Sequence, residues 1–457
     1  MSDSPTTLVW FRRDLRLADN PALAAACEGG RRVVLAYVHA PEEEGDWSPG
    51  AASRWWLHHS LTRLSDALRK RGATLQLRRG PSAEALRSLA RETGASRVVW
   101  NRLYEPAIAT RDASVEHDLR SAGLEVETFN AALFFEPWHT QTAQGGAYRV
   151  FTPFWRACAA RLETLPPPQP APRRIDCVEV PSAGMTVPDL CLLPEIRWDS
   201  GLAATWAPGE DGAQRRLEEF SAGAIDGYDT GRNRPDQSGS SRLSPFLHFG
   251  EIGPRQCLAA VRGALVDRPA ARAAADSFVR ELGWREFAHH LLHHFPYTAT
   301  EPLDTRFAAF PWEPDPRWLA AWQRGRTGYP IIDAGMRELW STGWMHNRVR
   351  MVVASFLTKN LRQPWLAGAR WFWDTLVDAD LANNTLGWQW TAGCGADAAP
   401  YFRIFNPELQ AARHDPDGKY VRRWLPDPLG DFPPPVVDFR ESRAAALAAY
   451  ATIKSPR

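Results

Sequence analysis

Two tryptophans are separated by a single residue late in the chain, in the tetrapeptide GWQW at residues 387–390. On a helix each residue advances by about 100°, so Trp388 and Trp390 would point to nearly opposite faces. A single buried stripe would instead repeat apolar residues every three or four positions. The spacing therefore predicts that the two indoles have different partners.

Acidic and amide side chains come just before this tetrapeptide. They are Asp378, Asp380, Asn383 and Asn384. Such residues are not typical of an apolar core, where buried polar groups must find partners. The same segment mixes many aromatic residues with small ones, which allows a flat ligand to come close. The segment is thus predicted to line a binding site.

A second group falls on one face of a predicted helix. Glu281, Trp284 and Arg285 are spaced i, i+3 and i+4, so their side chains would be neighbours. A carboxylate beside a large ring and a guanidinium can bind the edge of a nucleic-acid base and stack on its face. The HHLLHH run at 289–294 has histidines at the spacing of metal ligands, but neither an HExxH glutamate nor an acidic cluster accompanies it. We therefore predict no metal site.

Two further segments have both a functional and a purely structural interpretation. The stretch 239–244, GSSRLS, puts hydroxyls and backbone amides at a predicted helix start. A phosphate can bind there, but serines also act simply as N-caps. His346, Asn347, Arg348 and Arg350 crowd the start of an apolar helix, either as ligand contacts or as a solvated helix end. The residues alone leave both alternatives open.

The hydrophobic pattern indicates the elements that must position these groups. In the first 130 residues strand-like runs alternate with helical stretches, which predicts a parallel sheet covered on both faces. The predicted strands are 7–13, 32–39, 74–79, 97–101 and 125–130, and the helices between them are 51–71, 82–93 and 107–122. No GxGxxG follows the first strand, so the usual dinucleotide-binding fingerprint is missing.

The second half of the chain has a different pattern. The proline-rich stretch within 162–200 cannot continue a helix or a central strand, which indicates a connector. After residue 205 the predicted elements are helices only, at 212–222, 246–265, 271–293, 316–324, 330–342, 346–361 and 366–393. We therefore predict a Rossmann-like α/β domain with a five-stranded parallel sheet at 1–132, a connector at 133–204 and an all-α domain at 205–457.

Composition sets limits on the function. The chain has 457 residues, 44% hydrophobic and 23% charged, which is typical of a globular protein of two or more domains. No apolar run is long enough to span a membrane, and the polar, charged start lacks a signal core, which predicts a cytoplasmic protein. Six cysteines without a CxxC pair indicate free thiols.

Arginine and tryptophan are unusually frequent. Of 54 basic residues only four are lysines, which leaves 50 arginines beside 21 tryptophans. Both side chains stack on bases, and arginine also binds phosphates. A GC-rich genome would account for much of the arginine but little of the tryptophan. Because the net charge is only +1, any nucleic-acid surface must be local.

Taken in order, these segments resemble the DNA photolyase/cryptochrome family over essentially the whole chain. The segments that carry the resemblance are WFRRDLRLADNPAL, SGSSRLSPFLHFGEI, ELGWREF, TGYPIIDAGMRELWSTGWMHNRVRM, DADLANN and WQWTAGCGADAAPYFRIFNP. The resemblance implies an α/β antenna domain, a connector and an all-α FAD-binding domain. The chain is most similar to bacterial cyclobutane pyrimidine dimer photolyases of class I or of the plant-cryptochrome-like class III.

The resemblance also implies a set of FAD contacts. They are Tyr228, Ser240, Ser241, Arg242, Leu243, Ser244, Asn347, Arg350, Asp378, Ala379, Asp380 and Asn384. Asp378 would face Arg350 near the isoalloxazine ring. Asn384 matches the position that faces flavin N5, where photolyases generally keep asparagine, plant cryptochromes aspartate and animal cryptochromes cysteine.

The same resemblance gives each tryptophan of GWQW a task. Trp388 is similar to the flavin-proximal member of an electron relay whose outer members are Trp365 and Trp312. Trp390 is similar to one wall that stacks on a flipped-out pyrimidine dimer, with Trp284 opposite. For Trp365 and Trp312 ordinary packing is the alternative.

The lesion type follows from the residues at the substrate side. The resemblance implies that a 6-4 photoproduct needs proton transfer, for which the family's 6-4 branch supplies histidines; at the matching positions this chain has Asn347 and Met351, neither a useful proton donor. Glu281 matches the carboxyl group that hydrogen-bonds the dimer. The full set implied for the dimer and DNA is Arg232, Glu281, Trp284, Arg285, Asn347, Arg348, Met351, Trp390 and Gln410.

The expected activity is therefore light-driven repair of cyclobutane pyrimidine dimers, by electron transfer from excited reduced FAD and electron return. The expected partner is double- or single-stranded DNA containing dimers, bound by a monomer. A cryptochrome-type blue-light receptor is the alternative. One departure concerns the antenna chromophore: the family's Asn–Glu pair that holds a folate is replaced by Ala107 and Ile108. A methenyltetrahydrofolate, a deazaflavin or no second chromophore all stay open.

Overall fold

A computed structural model describes residues 5–180, 184–398, 400–426 and 432–454. Five parallel strands form one sheet in the order β3-β2-β1-β4-β5, which confirms the predicted fold class. The strands are β1 (Thr6–Phe11), β2 (Arg32–His39), β3 (Leu75–Arg79), β4 (Ala95–Asn101) and β5 (Glu125–Phe129). The helices around them are α1 (Pro21–Cys27), α2 (Ala51–Arg69), α3 (Ser82–Thr93) and α4 (Pro106–Ser121).

The strands are continuous apolar runs because both faces of the parallel sheet are covered. All six residues of β1 are buried, and Leu8 pairs with Val34 on one side and Val98 on the other. Side chains of a strand alternate between the two faces. Leu8 accordingly packs in the core on one face, while Val9 packs in a core that continues into the helical half of the chain.

The first α-helix of the connector is α5 (Phe151–Ala159). Its proline-rich part contains no α-helix among the described residues and touches the sheet through two isolated bridges, Val33 to Cys177 and Leu77 to Met185. This part of the connector therefore packs against the sheet.

The described residues beyond position 200 form helices and no strand. They are α6 (Ser200–Thr205), α7 (Glu210–Ala222), α8 (Tyr228–Gly231), α9 (Ser244–His248), α10 (Pro254–Asp267), α11 (Arg272–His294), α12 (Pro316–Gln323), α13 (Pro330–Thr342), α14 (Asn347–Ser355), α15 (Trp365–Thr375), α16 (Leu381–Ala392), α17 (Pro407–His414), α18 (Lys419–Trp424) and α19 (Phe439–Ile453). Within the described ranges no helix has the length and apolar character needed to cross a bilayer.

Two predicted helices are wrong in their extent, and a third has nearly the predicted extent but ends in a different helical form. The helix predicted at 246–265 is two helices, because Gly250 turns the chain at φ +64° where a Cβ would lie 2.1 Å from the Arg13 carbonyl oxygen. The helix predicted at 366–393 breaks at residues 376–380 between α15 and α16. The helix predicted at 346–361 ends as α14, followed by a π-helical turn, Phe356–Asn360.

A buried arginine joins the two halves of the molecule. Arg16 is 1% exposed, and its guanidinium donates to the carbonyl oxygens of Ala18, Asp19, Ala131 and Gly250 at 2.7–3.0 Å. Because Gly250 lies in the helical domain, this side chain holds that domain against the loop after β1.

Glu251 forms a second link at the same interface. Its carboxyl Oε1 accepts from the Gly209 backbone N–H at 2.6 Å and from the Trp56 indole of α2 at 3.1 Å. Complete burial raises the pKa of Glu251 to about 8, and these hydrogen bonds lower it only in part. The folded chain therefore holds this carboxyl group protonated at neutral pH.

This protonation predicts how stability depends on pH. Between the ordinary pKa of 4.5 and the folded pKa of about 8, the folded state keeps a proton that the unfolded state releases, so stability falls as pH rises. Glu251→Gln keeps an acceptor without the titration. We expect the thermal unfolding temperature of Glu251→Gln to fall less between about pH 5.5 and 8.5 than that of the wild type. Glu195→Gln, at an exposed glutamate, is the control, and equal slopes for all three proteins would contradict the assignment.

Candidate functional site

A cavity of about 530 Å³ opens between the loop before α9 and helices α11, α14 and α16. Most of the predicted site residues border it, from all of these elements. Those at the cavity are Tyr228, Arg232, Ser241, Leu243, Ser244, Glu281, Trp284, Arg285, Asn347, Arg348, Arg350, Met351, Asp378, Ala379, Asp380, Asn384, Trp388 and Trp390. The predicted residues outside its lining are Ser240, Arg242, Trp312, Trp365 and Gln410.

The loop 239–243 is held by close backbone contact and by an arginine. A Cβ on Gly239 would lie 2.5 Å from the Gly231 carbonyl carbon, so only glycine lets the loop approach α8. Arg242 has a positive φ of 52°, and its guanidinium sits between the rings of Trp206 and Trp344 at 4.6 and 4.7 Å. The Arg242 side chain thus fixes the loop from behind the cavity wall.

An ion pair is fixed at the cavity wall. Arg350 Nη2 donates to both oxygens of Asp378 at 2.8 and 3.1 Å, and its Nε donates to the Met345 carbonyl at 2.7 Å. Ser244 Oγ donates to Asp378 at 2.6 Å. Because charge-assisted bonds of this kind are short and directional, the guanidinium and the carboxylate cannot turn independently.

Asp380 caps helix α16 and carries a buried charge. Its carboxylate accepts from the Asn383 backbone N–H at 2.8 Å and from the Asn383 amide at 2.7 Å. Rings of His248 and His289 lie 3.7 and 3.5 Å from Oδ2. Burial acts to raise the pKa of Asp380, but these histidines and Arg285 hold that pKa well below its usual range. The two histidines were missed by sequence reasoning, because they reach Asp380 from α9 and α11.

Two polar side chains present neutral hydrogen-bonding groups to the cavity. Asn384 Nδ2 donates to the Ala369 carbonyl at 3.0 Å. This hydrogen bond fixes the Asn384 amide and leaves its own carbonyl oxygen, Oδ1, as an acceptor for another group. Burial raises the pKa of Tyr228, so its hydroxyl stays protonated.

The two tryptophans of GWQW have different surroundings. Trp388 is 2% exposed and meets Phe372 and Trp322 edge-to-face, with ring centroids at 5.0 and 6.1 Å. Trp390 is half-buried and borders both the 530 Å³ cavity and a second cavity of about 450 Å³. Because of their spacing on α16, Trp388 packs in the helical core, whereas Trp390 lies between the two open cavities.

The predicted outer relay residues, Trp365 and Trp312, pack in or against the same helical core as Trp388. Trp365 is 5% exposed and begins α15, one turn before Gly368, whose missing side chain leaves room for the Trp388 ring. Trp312 is half-buried and packs on Phe310 with ring centroids 4.5 Å apart.

Glu281 and Trp284 each have a partner that the sequence did not reveal. Arg232, predicted among the dimer and DNA contacts, forms an ion pair with Glu281 at 2.6 Å, and both residues border the cavity. Phe151 of the connector stacks on Trp284, with ring centroids 3.7 Å apart and planes 7° apart. No signal in the sequence links residues so far apart.

The second cavity extends the site towards α17. It is bordered by Arg348, Met351 and Trp390, which it shares with the first cavity, and by Gln410 and the exposed Arg413. Gln410 therefore borders the second cavity, whereas Asn384 borders the first.

The histidines of 289–294 serve structural contacts. His290 accepts a hydrogen bond from the Tyr148 backbone N–H at 3.0 Å, and His289 contacts the Arg285 carbonyl at 3.0 Å. Across the described part of the chain, no group of three or more His, Cys, Asp or Glu side chains is arranged to hold a metal ion.

Comparisons with known proteins give matches over both halves of the chain. Residues 7–173 match the family described as DNA photolyase, and residues 278–429 match the FAD binding domain of DNA photolyase. The chain is 44% identical over 474 residues to the deoxyribodipyrimidine photo-lyase of Agrobacterium fabrum, covering 98% of each. A crystal structure of a bacterial class III photolyase from Agrobacterium tumefaciens matches with a TM-score of 0.95 and 43% identity, over 100% of this chain and 99% of that one. Arabidopsis thaliana cryptochrome-1 is 40% identical over 92% of this chain and 63% of its own length.

The contact between Gly368 and Trp388 yields a stability prediction. A Cβ at Gly368 would lie 2.1 Å from the Trp388 ring, so Gly368→Ala must displace the indole. Overpacking of this kind costs about 1–3 kcal/mol of unfolding free energy. Gly263→Ala is the matched control, because Gly263 is exposed within α10 and a Cβ there meets nothing within 4 Å. That change should stabilise the helix by about 0.5–1 kcal/mol. Thermal and urea unfolding of both variants measure the effects, and an unchanged Gly368→Ala would show that Trp388 moves freely.

Proposed function

The chain belongs to the DNA photolyase/cryptochrome family, and from that membership we propose that its 530 Å³ cavity holds FAD beside a pyrimidine dimer flipped out of DNA. The activity is light-driven repair of pyrimidine dimers, that of a deoxyribodipyrimidine photo-lyase. One observation carries the arrangement: a single cavity brings the base-binding set with Glu281 together with the polar set around Asn384 and Asp378.

The residues present suit FAD. A cavity of this volume lies within the range of about 300–1,000 Å³ that is common for cofactor sites. The hydroxyls of Ser241, Ser244 and Tyr228 border it and would hold the ribityl and diphosphate groups. The fixed Arg350–Asp378 pair would meet the polar edge of the isoalloxazine ring, and the Asn384 carbonyl oxygen would accept from its N5–H.

Reduced FAD, when bound and excited by light, supplies one electron to the dimer and takes it back after the ring bonds have opened. The chain's own residues hold the dimer for that exchange. Trp284 and Trp390 stack on its two bases, and Glu281 hydrogen-bonds the base edge. Damaged base pairs cost less to unstack than intact ones, so a cavity that accepts only extruded bases favours the lesion.

We also propose that Trp388, Trp365 and Trp312 form a relay that returns electrons to the cofactor from the surface. The burial of Trp388 and Trp365 and the half-exposure of Trp312 support an order from inside to outside.

The DNA backbone would lie along the rim of the second cavity. Arg403 and Arg413 are exposed there beside Gln410 and Arg348, which gives a local positive surface on a chain of net charge +1. Phosphate contacts make binding weaken as salt rises. Because one chain supplies every group of the site, we propose that a monomer acts on double- or single-stranded DNA.

A second chromophore has a candidate position between the α/β half and the helical half. A cavity of about 220 Å³ is bordered by Arg13, Glu44, Trp47 and by Ala107 and Ile108, the two residues that replace the family's folate-binding pair. Its indole and ion-paired walls suit a flat, polar molecule. We propose an antenna chromophore here, a methenyltetrahydrofolate or a deazaflavin.

A blue-light receptor is the second candidate, favoured by the 40% identity to Arabidopsis thaliana cryptochrome-1. It would use the same FAD and the same tryptophans. A receptor has no need of Glu281, Trp284 and Trp390 around an open cavity, so repair is the better-supported function.

Repair activity tests the proposal directly. Purified, reduced protein should restore an oligonucleotide containing a cyclobutane pyrimidine dimer under near-UV or blue light but not in the dark. Glu281→Ala should slow this repair about tenfold, the value of one hydrogen bond to a charged group, without loss of bound FAD. Glu218→Ala, an exposed position on α7, is the control. Intact flavin photoreduction with no repair in the wild type would establish the receptor instead.

The absorption spectrum tests the antenna proposal. The purified protein should show a band beyond those of FAD, and extraction should release a second chromophore. Ala107→Trp would fill the 220 Å³ cavity, and we expect it to remove that band and leave FAD in place. A spectrum fully accounted for by FAD, in protein purified from its native host, would refute a second chromophore.

A further inference from the structure

Phe151 covers one face of Trp284, the residue proposed above to stack on the dimer. The two rings lie 7° from parallel with centroids 3.7 Å apart. This separation is shorter than the roughly 4.5–7 Å that aromatic pairs favour by themselves. The surrounding packing therefore imposes the stack.

The backing ring is itself buried and closely packed. Phe151 is 0% exposed and lies edge-to-face against Phe287 of α11 at 5.8 Å. Its backbone N–H donates to Asp397 at 3.3 Å, and Trp155 stacks parallel to it one turn later in α5, at 6.4 Å and 5°.

The backbone of α11 is shaped to accept this column of rings. A Cβ on Gly283 would lie 2.3 Å from the ring of Trp155, so glycine lets α5 pack closely beside Trp284. Phe287 also meets the edge of Trp284, at 5.9 Å and 72°. With one face and one edge covered, the Trp284 ring can offer only its remaining face to the cavity that it borders.

We infer that Phe151 is a positioning residue for substrate: it sets the plane of Trp284 so that the open face of the indole is parallel to an incoming pyrimidine dimer. The inference rests on the proposed stacking role of Trp284. It gives the connector helix α5 a part in recognising the lesion, because a tilted indole would lose contact with the face of the dimer while leaving cofactor and backbone contacts intact.

Replacing the flat ring by a non-planar side chain tests this inference. Phe151→Leu stays apolar but lets Trp284 tilt. We expect the concentration of dimer-containing oligonucleotide that gives half-maximal repair to rise about tenfold, since stacking of one base is worth about 1–3 kcal/mol. FAD content, flavin photoreduction and affinity for undamaged DNA should not change. Phe151→Met is a second non-planar variant for the same measurement if the leucine variant does not fold.

Phe154→Leu is the matched control. Phe154 is on the same helix and 2% exposed, but it packs on Phe287 and His290, so its variant should keep the half-saturating concentration of the wild type. Trp284→Ala separates the two levels of the argument. A rise for Trp284→Ala together with no difference between Phe151→Leu and Phe154→Leu would overturn the positioning role alone. An unchanged Trp284→Ala would overturn the stacking role and, with it, the inference.

Discussion

The short break between α15 and α16, residues 376–380, is the constraint on which the site depends. Within it the Val377 backbone N–H donates to the Gly343 carbonyl oxygen at 2.8 Å. Asp378 forms the ion pair with Arg350, and Asp380 caps the start of α16. A continuous helix would turn these carboxylates to different sides and leave Arg350 without its partner. Because the pairs form within the protein, the charges are oriented before any ligand arrives, and no reorganisation is needed when charge moves in the cavity.

Helix α16 then distributes the chemistry around itself. Asn384 and Trp388 are four residues apart and share one face, whereas Trp390 lies about 200° from Trp388. All three nevertheless border the same cavity, so the cavity must curve around the helix. A cofactor on one side and a substrate on the other can then be close in space and still contact different residues, which is the arrangement that one short, rigid segment can supply.

Local patterns in the sequence predicted the parallel sheet, the helical second half and the face shared by Glu281 and Trp284. Those patterns depend on the spacing of apolar residues within one helix or strand, and the rest of the fold does not change that spacing. The patterns failed where a contact with a distant part of the backbone determines the local conformation. At Gly250 the helix stops because the chain must pass the Arg13 carbonyl, which belongs to the other domain. The pairing of Arg232 with Glu281 was equally inaccessible, because either side chain alone fits a solvent-exposed or a DNA-binding role.

The junction between the domains explains why the α/β half matters to chemistry performed in the helical half. Leu381, the first residue of α16, borders the 220 Å³ cavity between the two halves, and its neighbour Asp380 borders the 530 Å³ cavity. The same cap that begins α16 therefore forms part of the wall between the two cavities. Arg16 and Glu251 hold the domains together at this junction, so the distance between the cavities is set by buried hydrogen bonds rather than by the connector.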